Sequence, residues 1–110
     1  MVFLKRYISE ILKNKPRYIA FSLDTGFDPI SRAIRKQIKK MTNLPIIVGG
    51  TFTSFIRDDS LDTIFSKEYI DYLIVGSGEN ALPNLIEILN HKREPVGVAN
   101  VFYKNGASIR

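Results

Sequence analysis

Three short runs in this sequence set small residues beside hydroxyls or an acid: Ser22-Leu23-Asp24-Thr25-Gly26, Gly49-Gly50-Thr51 and Gly76-Ser77-Gly78-Glu79. Glycine lets a ligand or another backbone come close, a hydroxyl both donates and accepts, and a helix starting after such a run offers free N–H donors. The chemistry these residues permit is chiefly binding, with Ser22, Thr25, Gly49, Gly50, Thr51, Gly76, Gly78 and Glu79 as the candidate ligand contacts. Glu79 admits three roles: a general base, a partner for a ligand hydroxyl, or an acid in the first turn of a helix that serves its dipole. Each run also reads as a plain crossover turn, because glycine is the commonest turn residue. The Gly76-x-Gly78 turn is not read as a dinucleotide fingerprint, since Leu82-Pro83 follow it, and no P-loop lysine and serine pair occurs.

Other chemistry-bearing residues are few. His91, the only histidine, falls at the expected end of a helix among polar residues. Asp58, Asp59 and Asp62 read as helix-start acids, because no further oxygen ligand follows at a cage-like spacing. Phe52 and Phe55 sit in a polar loop, where they cover either the sheet edge, a cofactor or a neighbouring domain. The chain has no cysteine, which removes disulfides, thiolate nucleophiles, iron–sulfur clusters and cysteine-ligated zinc.

The elements that must position these runs alternate helix and strand, the mark of a parallel sheet with crossover helices. Leu4, Tyr7, Ile8, Ile11 and Leu12 make a helical stripe that Pro16 brings to an end. Residues 18–23 form an apolar run expected to be a strand covered on both faces. Asp28-Pro29 then stand as N-cap and first residue of a long helix with Ile30, Ala33, Ile34, Ile38 and Met41 inward. Residues 44–48 give a second buried strand, Leu61, Ile64 and Phe65 the inner face of a short helix, and residues 69–75 a third strand. A helix with Leu82, Leu85, Ile86 and Leu89 inward runs to about Asn90, and the strands 96–103 and 107–110 flank Lys104-Asn105-Gly106 as a hairpin. The three candidate runs all fall at carboxyl ends of strands, where open α/β sheets bind ligands.

The bulk properties agree with this layout. With 110 residues, 45% hydrophobic and 25% charged, the chain has the composition of one soluble globular domain. One domain is expected over residues 1–110, with its core over 17–95 and the hairpin over 96–110. No apolar run approaches the ~20 residues of a membrane span. The opening MVFLKRYISEILKNK carries charges within its apolar stripe, so it does not read as a cleavable signal, and a cytoplasmic location without membrane contact is expected. The net charge of +5 raises the question of nucleic acid, but the basic residues are dispersed. Lys5, Arg6, Lys13, Lys15 and Arg17 flank the first helix, and Arg32, Arg35, Lys36, Lys39 and Lys40 form the outer face of the second. They read as solvated helix faces, and no nucleic-acid partner is expected.

In this order the segments from Arg17 to Arg110 resemble the cobalamin (B12)-binding domain of radical-SAM proteins. The resemblance rests on a strand ending in Ser22, on Pro45-Ile46-Ile47-Val48-Gly49-Gly50, on Asp71-Tyr72-Leu73-Ile74-Val75-Gly76-Ser77-Gly78-Glu79 leading into a helix, and on Val96-Gly97-Val98-Ala99 opening the hairpin. It implies a Rossmann-like (flavodoxin-like) α/β fold with helices on both faces. It also implies that Ser22 and Gly49-Gly50 contact the nucleotide tail of the cofactor, as a Ser-x-Leu motif and a later Gly-Gly do in such proteins. Asp24 stands where that motif has leucine, and the Asp-x-His-x-x-Gly segment that supplies a cobalt ligand in some relatives has no counterpart here.

The resemblance therefore implies an accessory domain that positions a corrinoid or docks on a radical-SAM barrel, and a piece of a longer parent rather than an enzyme by itself. S-adenosylmethionine and a 4Fe-4S cluster would belong to the rest of that parent, since the Cys-x-x-x-Cys-x-x-Cys run is not in this chain. The alternative is a cofactor-free α/β scaffold or interaction domain, including one that forms a homo-oligomer.

Overall fold

The computed structural model describes residues 2–23, 26–50, 53, 56–76, 81–95, 100–105 and 108–109. Helix α1 (Val2–Leu12) leads to strand β1 (Ile19–Ser22), helix α2 (Pro29–Met41), strand β2 (Ile46–Gly49), helix α3 (Leu61–Lys67), strand β3 (Tyr72–Ile74), helix α4 (Ala81–Asn90) and the hairpin strands β4 (Val101–Asn105) and β5 (Ser108–Ile109). The sheet order is β1-β2-β3-β4-β5. Strands β1, β2 and β3 are parallel, and the hairpin extends the sheet antiparallel to β3, so the Rossmann-like α/β arrangement expected from the pattern is present with three parallel strands.

Successive strand residues point to opposite faces, which divides the core in two. On one face Ile46, Val48 and Leu73 pack with Ile8 of α1, Ile38 of α2 and Leu61, Ile64 and Phe65 of α3. On the other, Ile47, Ile74 and Val101 meet Ala81 and Leu85 of α4, with Leu82 and Leu89 partly buried beside them. Strand β2 is central and buried on both faces, hence its unbroken Ile46-Ile47-Val48 run. Val75 N–H donates to Asn100 O at 2.8 Å and closes the start of β4 onto the end of β3.

Four expectations are corrected. Strand β1 is not covered on both faces: it is an edge strand in which Ile19 and Phe21 are partly buried while Ala20 and Ser22 are exposed. Helix α2 turns Ile34 and Ile38 inward as expected, but the ends of the stripe, Ile30 and Met41, are 76% and 36% exposed while Arg35 is fully buried. Arg35 therefore does not belong to an outer basic face. Strand β3 starts at Tyr72 rather than at residue 69, because Glu68 caps α3 and Tyr69 takes a positive φ of 57° in the turn that follows. In the hairpin, Asn105 pairs with Ser108, so Asn105 is a strand residue; Gly106 and the expected strand over 96–99 lie outside the described residues.

Buried Arg35 is stabilised by what surrounds it. Its Nε donates to Glu68 O at 2.7 Å, one terminal nitrogen to Ser31 Oγ at 3.0 Å and the other to Glu68 Oε1 at 3.0 Å. The guanidinium carbon lies 5.5 Å from the centre of the Phe21 ring and 5.8 Å from that of Phe27, in cation–π range. Arg32 adds a second contact to Glu68 at 2.8 Å, so one carboxylate joins two arginines of α2 to the end of α3. At the amino edge, Asp71 pairs with Lys39 and accepts from Ile46 N–H at 2.8 Å. The Asp-Tyr pair that opens the third strand thus serves the fold rather than the ligand edge.

Candidate functional site

Parallel register sets β1 and β2 side by side with Ser22 opposite Gly49, and Leu23 N–H donates to Gly49 O at 2.8 Å. Ala20 pairs with Ile47 and Ser22 with Gly49 on the face that α4 covers further along; α4 meets Tyr18, just before β1, where the Tyr18 hydroxyl donates to Asn90 Oδ1 at 2.6 Å, and leaves Ala20 and Ser22 exposed. The result is an open strip of small side chains, Ala20, Ser22 and Gly49, running to the carboxyl edge. It carries no charge, and its floor is flat because Gly49 has no side chain. A flat, hydrogen-bonding part of a ligand fits such a surface, with the Ser22 hydroxyl free to donate or accept.

Gly50 makes the turn at the end of β2 possible. Its φ is +130°, and a methyl group added there would lie 2.0 Å from Leu23 O and 2.7 Å from Leu23 C and N. The Gly50 backbone thus lies directly against that of Leu23, and only glycine permits that approach. Gly49 differs: an added methyl would meet Ile74 Cβ at 3.6 Å, an ordinary contact. No fold requirement for glycine is visible there, which leaves ligand access as a reason for it.

Thr53 joins two of the glycine turns. Its hydroxyl donates to Gly50 O at 2.6 Å and accepts from Gly76 N–H at 2.9 Å, and its own N–H donates to Gly50 O at 3.1 Å. The side chain is fully buried. Gly76, with φ of +84°, is thereby held beside the end of β2. Sequence reasoning missed Thr53; the one available signal was a hydroxyl between Phe52 and Phe55, three residues after Gly50, and a surface threonine gives the same signal.

Of the eight expected ligand contacts, Ser22, Gly49, Gly50 and Gly76 are brought to one edge. Thr25, Thr51, Gly78 and Glu79 lie outside the described residues, as do Phe52 and Phe55. The N-terminus of α2 points to the same edge, but its donors are partly taken. Asp28 accepts from Ser31 N–H and Ser31 Oγ at 2.8 Å each. The Ser31 N–H bond first, and then the Ser31 hydroxyl, hold the Asp28 carboxyl below the usual carboxylate range. His91 lies at the other end of α4, exposed, near the amino edge of the sheet. Among the described residues, no group of His, Cys, Asp and Glu is arranged to hold a metal ion.

One spacing argument needs correction. Gly76-x-Gly78-x-x-Ala81 does match the alanine form of the dinucleotide fingerprint, so the residues after the turn do not by themselves rule it out. The topology is the better criterion. That fingerprint belongs to a βαβ unit with parallel strands, whereas the strand after α4 runs antiparallel to β3.

The family model described as the B12 binding domain matches residues 3–86. This chain belongs to the B12-binding domain family. The match covers α1 as well as the three parallel strands, so Ile8, fully buried in the core, is a family element and not an appendage. The fold is similar to that of a solved structure, the radical S-adenosylmethionine methyltransferase TsrM from Kitasatospora setae, with tryptophan substrate and a SAM analog bound, at a TM-score of 0.74 and 18% identity. That likeness covers 96% of this chain and 21% of TsrM, so this B12-binding domain spans about a fifth of the enzyme it resembles in fold. No curated protein matches the chain. No helix among the described residues is long and apolar enough to cross a membrane.

The residues present fit the cofactor the family implies. Cobalamin carries a flat nucleotide base on a tail, and the exposed strip of Ala20, Ser22 and Gly49 is a flat, neutral surface ending at the glycine turns.

Proposed function

We propose that this B12-binding domain holds the tail of cobalamin along β1 and β2, with Ser22 hydrogen-bonded to it, Gly49 leaving room for its base, and Gly50 and Gly76 shaping the turns beneath the corrin. Thr25, Thr51, Gly78 and Glu79 are assigned to the same edge. The observation that carries this reading is the strip itself: Ser22 and Gly49 are paired in register on a face where Ala20 and Ser22 stay exposed and no helix among the described residues covers them. A fold that needed only to bury its sheet would place larger apolar side chains there. The bound corrinoid would supply the methyl-transfer or rearrangement chemistry, and the protein supplies binding and orientation.

The partner proposed for this domain is a radical-SAM barrel in the same parent chain, with S-adenosylmethionine and the 4Fe-4S cluster held by that barrel. Support comes from the fold likeness to TsrM, whose name includes a radical S-adenosylmethionine methyltransferase activity, over a fifth of its length. The chain by itself is proposed to be non-catalytic.

Titration with aquocobalamin and with cobinamide, which lacks the nucleotide tail, tests the reading. If the strip grips the tail, aquocobalamin binds one per chain and cobinamide binds at least ~10-fold more weakly, a difference of about 1.4 kcal/mol. Equal binding of the two would remove the strip from the site. A folded chain that binds neither would be the cofactor-free interaction domain instead.

A further inference from the structure

The parallel ladder between β2 and β3 pairs Ile47 with Tyr72 and Val48 with Leu73, and among the described residues it goes no further. Past it the end of β3 is held from two sides, because successive N–H groups of a strand face opposite neighbours. Val75 N–H turns to the hairpin and donates to Asn100 O at 2.8 Å. Gly76 N–H turns the other way, toward β2, and donates to Thr53 Oγ1 at 2.9 Å across 23 residues of chain. The same hydroxyl donates to Gly50 O at 2.6 Å. One side chain thus carries the connection between the ends of β2 and β3 where the backbone ladder has stopped.

The place is built for a hydroxyl. Thr53 is fully buried, and valine would fill the same space with no polar atom to satisfy. Its oxygen both accepts and donates, so one atom serves the Gly76 donor and the Gly50 acceptor. The loop that carries Thr53 is fixed by backbone bonds on either side of it: Thr53 N–H donates to Gly50 O and Ile56 N–H donates to Thr53 O, at 3.1 Å each. Gly50 and Gly76 both take positive φ, +130° and +84°, and with no side chains of their own they rely on this threonine to stay together.

We infer that Thr53 is the positioning residue of the corrinoid site: it locks the turn after β2 to the turn after β3, so that the floor beneath the corrin is assembled before the ligand arrives. The inference rests on the reading that a corrinoid sits at this edge, and it assigns part of the affinity to a buried side chain that no ligand touches and that acts only through Gly50 and Gly76. Without the lock, each binding event must first order the two turns, and the apparent affinity falls with the fraction of chains already ordered. The strip of Ala20, Ser22 and Gly49 is kept in place by its own ladder between β1 and β2. Loss of the lock therefore weakens the hold on the corrin and leaves the preference for the tail unchanged.

The test titrates aquocobalamin and cobinamide against the parent chain, against Thr53→Ser, which keeps the hydroxyl, and against Thr53→Val, which keeps the shape, at a temperature where circular dichroism shows each one folded. Thr53→Val is expected to bind both corrinoids ~10-fold more weakly, by the same factor for each. Thr53→Ser is expected to stay within about 3-fold of the parent. Amide hydrogen exchange at Gly76 reads the lock itself. It is expected to quicken at least ~10-fold in Thr53→Val but not in Thr53→Ser, and in the parent to slow on saturation with either corrinoid, a readout that stands even where Thr53→Val does not fold. A folded Thr53→Val chain with the parent's affinity would make Thr53 a residue of the fold alone and overturn the proposal. So would a loss confined to aquocobalamin, equal losses in Thr53→Ser and Thr53→Val, or Gly76 exchange in the parent that both corrinoids leave unchanged. A parent that binds neither corrinoid while its Gly76 amide stays protected would overturn the cofactor reading first, and the positioning role with it.

Discussion

Replacing Gly50 with alanine perturbs the fold at a point where the structure sets the size of the effect. The new methyl group would sit 2.0 Å from Leu23 O and 2.7 Å from Leu23 C and N, so turning the carbonyl alone does not relieve the clash, and the Leu23 N–H bond to Gly49 O at 2.8 Å holds this end of β1 in place. Backbone strain for alanine at a φ of +130° adds roughly 1–3 kcal/mol, and displacing the end of β1 a further ~1–3 kcal/mol. The sum, about 2–6 kcal/mol, is a large share of the roughly 5–15 kcal/mol that holds a domain of this size together. Urea denaturation followed by circular dichroism measures it directly, and the Tm is expected to fall by about 10–25 °C. Gly49→Ala is the paired control, since its methyl group meets Ile74 Cβ at an ordinary 3.6 Å. That variant should keep its stability within about 1 kcal/mol and lose cobalamin affinity by ~10-fold, about 1.4 kcal/mol. A Gly50→Ala protein within about 1 kcal/mol of its parent would refute the argument that close backbone approach requires glycine there.

Three further outcomes follow from the same geometry. Thr53→Val removes the acceptor for Gly76 N–H and one of two donors to Gly50 O, and chemical denaturation should show a loss of about 1–3 kcal/mol. Glu68→Ala leaves Arg35 buried without its carboxylate and should cost about 3–5 kcal/mol in the same assay, far more than loss of an exposed ion pair. Asp28 has a folded pKa below its unfolded value, so the stability it contributes is present above the unfolded value of ~3.9 and is lost as pH falls through the folded one. Asp28→Asn should therefore lower stability near pH 7 and converge on the parent as the pH falls below the folded pKa of Asp28, which flattens the acid limb of the profile.

Much of the architecture was legible because it depends on local pattern. The apolar stripe of α4 and the three inward residues of α3 follow from a period near four, and the buried run of β2 from its continuous β-branched residues. The glycine turns were legible as turns, and their meeting at one edge followed from the parallel topology. What pattern could not show was who pairs with whom across the chain. Arg35 looked like an outer-face charge because its partner, Glu68, is supplied by a helix end 33 residues away. Ile34 and Ile38 followed the helical period into the core, whereas Ile30 and Met41, at the two ends of α2, are exposed and Arg35 is buried beside Phe21 and Phe27. The edge position of β1 was hidden for a similar reason: Ala20 is apolar, and apolar residues suit a covered strand as well as an open strip. Thr53 was overlooked because its function lies in two backbone groups, Gly50 O and Gly76 N–H, that no residue type announces.

The central claim is one of place, that cobalamin lies along the carboxyl edge of β1 and β2. Nitrogen-15 amide spectra of the chain, recorded during an aquocobalamin titration, test it residue by residue. The account predicts shifts concentrated at Ser22, Leu23, Gly49, Gly50 and Gly76, with Asp71, Tyr72 and His91 at the opposite end unmoved. Shifts gathered at the amino edge instead, or a folded chain whose spectrum does not change at saturating aquocobalamin, would contradict it.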